Sequence, residues 1–400
     1  MFETRQPPEP DKILRLMAML AGDPRSDKVD LGVGVYRGPD GRTPVMAAVK
    51  EAEERIWQAQ DTKGYVGLSG DPAFLDAMRG LILGDAVPSA RVAACATPGG
   101  TGSVRQVLEM ARRLSPEATV WLPDPTWPNH PAIVDHLAQG RATYRYYDRA
   151  TGGLDREGML TDLAQAGRGD LILLHACCHN PSGADLLPSD WQAVADLCEA
   201  SGAIPFVDMA YLGFAESLEA DAEGTRMLAA RLPEVFIAAS CSKNFGLYRE
   251  RVGCTLIVTG EGAPREAAAG TLSNLNRQNY AFPPDHGARV VETILSDPTL
   301  RDSWRTELRT MRETMQANRT ALTAALRAET GSDMFGYFAA HRGMFSLCGA
   351  MPSEVERLRT EHGIYIVGDG RMNVAGLTAD TIPKVARALA QVLATGRARA

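Results

Sequence analysis

Apolar and polar positions along the 400-residue chain follow two rhythms. Between about residues 97 and 258, short apolar runs at 119–122, 171–176, 204–207, 235–239 and 255–258 alternate with amphipathic stretches. Runs that are apolar throughout suit strands covered on both faces, so the alternation predicts an α/β fold with a mostly parallel sheet flanked by helices. One unit can be read closely. After the run beginning at Leu171, Ser189 is placed to cap a helix with Gln192 three residues on. Trp191, Val194, Ala195 and Cys198 share one face of that helix, and Gly202 ends it. The next apolar run, 204–207, follows at once and completes a β-α-β crossover.

Beyond Pro298 the rhythm turns helical, with Trp304, Leu308, Met311, Met315, Leu322 and Leu326 at spacings of mostly three and four. The stripe spans roughly 30 Å at 1.5 Å per residue. Asn318 interrupts the seam, so a helix joining two domains is expected rather than a coiled coil. In the tail, Ser353 with Glu356 is expected to start one helix, while 364–367 and 372–374 look extended. Ile382, Val385, Leu389 and Val392 mark a last amphipathic helix. A smaller α+β domain follows from these elements.

Composition narrows the function. Lys and Arg number 42 against 49 Asp and Glu, a net charge of −7, so no basic excess is available for nucleic acid. No apolar stretch approaches the eighteen or so residues that span a bilayer, and MFETRQPPEPDK lacks an apolar core after a basic start. Neither membrane insertion nor secretion is expected. The seven cysteines include Cys177, Cys178, Cys241 and Cys254 in or beside apolar runs, which suits a reducing cytoplasm. No CxxC or HExxH supports a zinc site, and no Gly-Lys pair supports a P-loop. Gly32-Val-Gly34-Val-Tyr-Arg-Gly38 looks like a dinucleotide loop, but its third glycine falls one place late.

In an open parallel sheet, ligands bind beyond the carboxyl ends of the strands. Here those ends are polar. Asp124-Pro-Thr-Trp127-Pro-Asn-His130 follows the first run; His175 and then His179-Asn180-Pro-Ser-Gly183 close the second. Asp208-Met-Ala-Tyr211 ends the third and Ser240-Cys-Ser242-Lys243 the fourth. Singly, each has a plain structural reading: Asp208 as a turn or cap residue, Trp127 as a filler, His130 and His175 as hydrogen-bonded structural residues. Together they match one requirement. A pyridoxal phosphate enzyme needs a lysine for the Schiff base, a carboxylate for the pyridine nitrogen, an aromatic platform, donors to the ring oxygen and a phosphate cup. Gly99-Gly100-Thr101-Gly102, opening a helix around 104–114, supplies the cup together with Ser240, Ser242 and Arg251.

TPGGTG, DPTWPNH, HNPSG, DMAYLGF, SCSKNFGLYRERVG and GRMNVAG carry a resemblance that runs from Leu31 to the last helix. The chain resembles the aspartate/aromatic aminotransferase subgroup of fold-type I pyridoxal phosphate enzymes, nearest the bacterial aromatic, or tyrosine, aminotransferases. That resemblance implies a cytoplasmic homodimer with pyridoxal 5'-phosphate as cofactor. It implies ping-pong transamination of aromatic and dicarboxylic amino acids with 2-oxoglutarate or oxaloacetate. A strict aspartate aminotransferase is the alternative, a fold-type I lyase or decarboxylase a further one, and a non-enzymatic descendant the last. The implied division is an arm at 1–12, a small domain at 13–41 with 310–400, and a large cofactor-binding domain at 42–309.

The resemblance assigns roles residue by residue. Lys243 is the Schiff-base lysine and proton carrier, Asp208 the partner of the pyridinium nitrogen, Trp127 the ring platform, and Asn180 with Tyr211 the donors to the ring oxygen. Gly100, Thr101, Ser240, Ser242 and Arg251 hold phosphate, joined by Tyr65 from the other subunit. His130, with His175 behind it, orients Asp208. Arg371 clamps the substrate α-carboxylate, Gly34 leaves the substrate room, Trp127 and Asn180 border it, and Arg277 crosses from the partner to bind a distal carboxylate. Ser182 and Leu212 stand where the family commonly has Thr and Gln. Phe282 and Gly64 stand where strict aspartate enzymes often have Asn. A more apolar pocket rim is therefore expected, with Arg277 turned inward for dicarboxylates and outward for aromatic substrates.

Overall fold

The computed structural model describes residue 3, residues 12–38 and residues 41–394. The expected arm at 1–12 lies outside the described residues except for Glu3 and Lys12, and Lys12 instead opens the first helix, α1 (Lys12–Gly22).

A seven-stranded sheet forms the centre. Its strands are β1 (Val92–Pro98), β2 (Thr119–Asp124), β3 (Gly140–Arg145), β4 (Leu171–His175), β5 (Ile204–Met209), β6 (Val235–Ser240) and β7 (Val252–Val258). The spatial order is β1-β7-β6-β5-β4-β2-β3. The pairs β6/β5, β5/β4, β4/β2 and β2/β3 are parallel. The expectation of a mostly parallel sheet holds with one departure, because β7 runs antiparallel to both β6 and β1. The link from β6 to β7 is too short for a crossover helix, and a strand reached that way must return antiparallel. Leu171 and Leu173 point into one core while Ile172 and Leu174 point into another. This explains why the strands read as unbroken apolar runs.

The helices that frame the sheet include α2 (Gly99–Leu114), α3 (Asn129–His136), α4 (Pro188–Ser201) and α5 (Ala263–Asn279). Next come α6 (Pro298–Thr330) and α7 (Pro352–His362). Two expected caps shift. Ser189 lies inside the first turn of α4, where the Asp190 carboxylate accepts from the Leu187 N–H at 2.8 Å. Ser353 likewise lies inside α7, where Glu354 accepts from the Met351 N–H at 2.7 Å. In both, a proline takes the first helical position, for which its fixed φ and missing N–H are suited, and the start moves upstream.

At 33 residues, α6 is about 50 Å long, longer than the apolar stripe alone indicated. Asp297 caps its start by accepting from the Thr299 and Leu300 N–H groups, and Gly331 ends it in the left-handed conformation. Leu300, Trp304, Leu308, Met311 and Met315 pack into the main core. Leu322 and Leu326 pack into a separate core with Val29, Leu31, Ile364, Met372 and Leu389. Asn318, which interrupts the stripe, donates to the Leu377 carbonyl at 2.9 Å and so ties α6 to the second core's chain. Two short ladders stiffen that region: Val29–Asp30 beside Ile364–Tyr365, and Phe345–Leu347 beside Arg371–Asn373. Among the described residues no helix is long and apolar enough to cross a membrane.

Candidate active site

The parallel strands deliver their carboxyl ends to one edge, and the register aligns His175 with Asp208 and Asp208 with Ala238. A cavity of ≈ 130 Å³ opens there. Gly100, Thr101, Ser240, Ser242 and Arg251 line one part of it; Trp127, His175, Asn180, Asp208, Tyr211 and Lys243 are among those lining the rest.

The cup is built around missing side chains. Gly99 sits at φ +70°, and a Cβ there would stand 2.5 Å from Arg251 Nη2. At Gly100 a Cβ would stand 2.8 Å from Ser240 Cβ. Glycine thus lets the start of α2, with its free N–H groups, close on the hydroxyls and the guanidinium. Arg251 Nη1 donates to Ser242 Oγ at 3.3 Å and to the Tyr248 carbonyl at 3.2 Å. A helix N-terminus, two serines and an arginine make a cup for an anion.

Asp208 is fixed by a directional chain of hydrogen bonds. The Asn180 N–H donates to His175 Nδ1 at 3.3 Å, which leaves the His175 proton on Nε2, 3.4 Å from Thr126 Oγ1. Thr126 then donates to His130 Nδ1 at 2.8 Å, and His130 Nε2–H donates to Asp208 Oδ2 at 3.1 Å. The His175 ring is neutral in this arrangement. Burial lowers the His175 pKa to about 3, with the neighbouring His130 acting in the same direction. Burial alone would raise the Asp208 pKa, but the hydrogen bond from His130 and the charge of nearby Lys243 turn the net effect downward. The carboxylate stays ionised and suits a cationic ring nitrogen.

Lys243 faces it as an amine poised to lose its proton. Burial brings its pKa down to about 8 against the pull of Asp208, and the charges of Arg251 and Arg371 add to the fall. Its Nζ lies 5.4 Å from the Tyr211 ring centre. Arg371 is buried: Nη1 donates to Asn180 Oδ1 at 3.2 Å, Nη2 donates to the Gly32 carbonyl at 3.1 Å, and Nε has no partner among the described residues. A buried guanidinium with spare donors fits a carboxylate bidentately.

Besides Thr126, the site uses Tyr248 and Phe345, to which the sequence assigns no role. Tyr248 lines the cavity and its hydroxyl accepts from the Tyr36 N–H at 3.1 Å. Phe345 lies 4.3 Å beneath the Arg371 guanidinium and packs edge-on against Tyr211. A Cβ at Gly34 would stand 2.9 Å from Phe345 Cζ, so Phe345 is the group that a side chain there would strike. Tyr248 stands inside a quoted motif, whereas no local pattern distinguishes Phe345 from a core residue.

Tyr65 and Arg277 are not brought to this cavity. Tyr65 is 87% exposed and stacks on Phe282 at 4.6 Å. Arg277, also exposed, lies 5.9 Å over the same Phe282 ring.

Behind the site, a cavity of ≈ 390 Å³ is bordered by Cys177, Asp185 and Asp221. The two carboxylates clamp site loops. Asp185 accepts from the Cys178 and His179 N–H groups at 2.7 and 2.8 Å, immediately before Asn180. Asp221 accepts from the N–H groups of Gly213, Ala215, Glu216 and Ser217, just after Tyr211.

Residues 26–389 match the family model for aminotransferase class I and II. The chain belongs to this family. It is 52% identical to the aromatic-amino-acid aminotransferase of Paracoccus denitrificans over 98% of this chain and 100% of that one. It is 38% identical to the aspartate aminotransferase of Escherichia coli K12, again over 98% and 100%. The solved aromatic-amino-acid aminotransferase from Burkholderia pseudomallei, covalently bound to pyridoxal phosphate, superposes with a TM-score of 0.95. That structure is 40% identical, with 98% of this chain and 99% of that one covered. The aminotransferase fold is thus present over almost the whole chain.

Proposed function

We propose that this aminotransferase exchanges amino groups between aromatic or dicarboxylic amino acids and 2-oxo acids, using pyridoxal 5'-phosphate, as a cytoplasmic homodimer. The observation that carries the reading is one cavity uniting Lys243, Asp208 and the cup of Gly100, Thr101, Ser240, Ser242 and Arg251. The fit is specific, since the cup is closed at two positions that only glycine satisfies and Arg371 keeps a buried donor free.

When bound, pyridoxal phosphate supplies a carbonyl that accepts the amino group and a ring that takes up electrons. The chain's own residues do the rest. The cup would hold phosphate, Trp127 would serve as a platform for the ring, Asp208 would keep its nitrogen protonated, and Asn180 with Tyr211 would donate to its oxygen. Arg371 holds the substrate α-carboxylate and thereby orients the Cα–H bond toward Lys243. With its pKa lowered to about 8, Lys243 can take the Cα proton and give it back on the other side of the exchange.

Each chain would supply Tyr65 and Arg277 to the other chain's cavity, which accounts for their exposure on a lone chain. Phe282 under Arg277 makes that arginine's surroundings apolar, which favours dual specificity over a strict aspartate enzyme. Residues 13–41 with 310–400 form the small domain in this reading and 42–309 the large one.

Acceptor-free turnover tests the class. Given L-phenylalanine alone, the purified holoenzyme should release one equivalent of 2-oxo acid per site and stop until 2-oxoglutarate is added. Continuous release without acceptor, or wild-type turnover by Lys243→Ala, would overturn the proposal.

A further inference from the structure

Asn276 stands next to Arg277 on α5 but points the other way. It is fully buried, whereas Arg277 is exposed. Its hydrogen-bonding capacity is filled on both sides. Nδ2 donates to the Leu68 carbonyl at 2.8 Å and to the Ala96 carbonyl at 3.1 Å. Oδ1 accepts from Gln106 Nε2 at 2.7 Å and from the Tyr280 hydroxyl. Gln106 Nε2 also donates to the Leu272 carbonyl at 2.9 Å, so α2 and α5 are bound at two points.

These partners matter because of what they adjoin. Leu68 lies three residues after Tyr65, and its loop is fixed again by the Ala96 N–H donating to the Ser69 carbonyl at 2.7 Å and by the Ser69–Ser273 hydroxyl pair at 2.7 Å. Ala96 lies three residues before Gly99 of the phosphate cup, and Gln106 lies on the helix that the cup begins. One buried amide therefore ties together the loop of Tyr65, the turn of Arg277 and the base of the chain's own cup. An apolar residue could fill the volume, but an amide satisfied on every side also fixes orientation. Adjacent positions on a helix diverge by about 100°, so anchoring Asn276 inward directs Arg277 outward.

We infer that Asn276 is a positioning residue through which each chain holds Tyr65 and Arg277 in place for the other chain's site. The inference rests on the shared-site reading above. It predicts that a change at Asn276 is felt in the cavity of the opposite chain.

Mixed dimers carrying one Lys243→Ala chain have a single working cavity and test this directly. Asn276→Asp keeps the size and the acceptor but removes both donations to carbonyls. Placed on the Lys243→Ala chain, opposite the working cavity, it should raise KM for aspartate by about tenfold while changing kcat for phenylalanine less than about threefold. Pyridoxal phosphate should also leave the working cavity faster on dialysis. Placed on the working chain itself, the same substitution should leave aspartate KM within about twofold of the parent mixed dimer. Equal effects on aspartate KM in both placements, or a KM effect only on the working chain, would overturn the inference. If the Asp variant does not assemble, Asn276→Ser, too short to span both carbonyls, takes its place with the same expectations. Arg277→Ala in the two placements separates the failures: an effect on its own chain's cavity rejects the shared site. An opposite-cavity effect from Arg277→Ala without one from Asn276 rejects only this inference.

Discussion

Lys243 is asked to be a base at neutral pH, and the protein achieves this by making its charge uncomfortable. Its pKa falls from 10.5 to about 8, chiefly through burial. Below pH 8 both folded and unfolded chains hold the proton, so the folded state bears the whole cost. Between pH 8 and 10.5 the folded chain releases it first, and stability rises with pH. Cofactor-free Lys243→Met should therefore be more stable than the parent at pH 7, by up to about 3 kcal/mol. The gap should close toward pH 10.5. Urea unfolding at pH 7, 8.5 and 10 checks it, and a gap independent of pH would mean that the lysine carries no such cost. Arg277 leads to a contrast in substrates rather than in pH. Arg277→Ala removes the group proposed for the distal carboxylate, so kcat/KM for aspartate should drop roughly 30-fold or more while phenylalanine is largely spared. Equal losses would reject the switch.

Elements bring such residues together, and their legibility in the sequence varied for physical reasons. Buried parallel strands announce themselves as unbroken apolar runs, so the polar residues ending β2, β4, β5 and β6 are legible in the sequence. The antiparallel return of β7 is not, because direction is set by the short link through Lys243 and not by the strand's own residues. The caps of α4 and α7 lie upstream of the expected serines for one reason: a serine after proline looks like a cap, while the proline itself already occupies the first turn. Phe345 was hidden because its meaning lies in Arg371, Gly34 and Tyr211, which are remote in sequence. The loop of Asn180 illustrates an element held from outside. Asp185 accepts two N–H groups there, and burial raises its pKa to about 6. Asp185→Asn presents an NH₂ where an acceptor is needed and leaves one N–H unpaired, at about 1–3 kcal/mol. Thermal unfolding should shift down, and kcat/KM should fall for aspartate and phenylalanine alike. An active variant with unchanged melting would show that the clamp is dispensable.

Across the whole molecule, α6 joins the main core to the one around Leu322 and Leu326, and Arg319 lies where it passes between them. The side chain is almost fully enclosed, and burial lowers its pKa to about 10, so it remains a cation with no carboxylate bonded to it among the described residues. Nη2 donates to the Phe345 carbonyl at 2.8 Å and lies 3.4 Å from the Arg342 carbonyl and from Ser346 Oγ; Nε has no partner among the described residues. Such a charge is expensive to bury, and its few hydrogen bonds only partly offset that cost. Its return lies in position: it fixes the backbone of Phe345, whose ring supports Arg371. Arg319→Met removes both the cost and the anchor while keeping the volume. Stability should change by less than about 2 kcal/mol in either direction. The amino-acid KM should rise about three- to tenfold for phenylalanine and aspartate together, because both present an α-carboxylate to Arg371. Urea unfolding and steady-state kinetics on the two substrates read these separately. A selective loss on aspartate would place Arg319 with the distal carboxylate site, and unchanged KM on both would show that α6 does not reach Arg371 through Phe345.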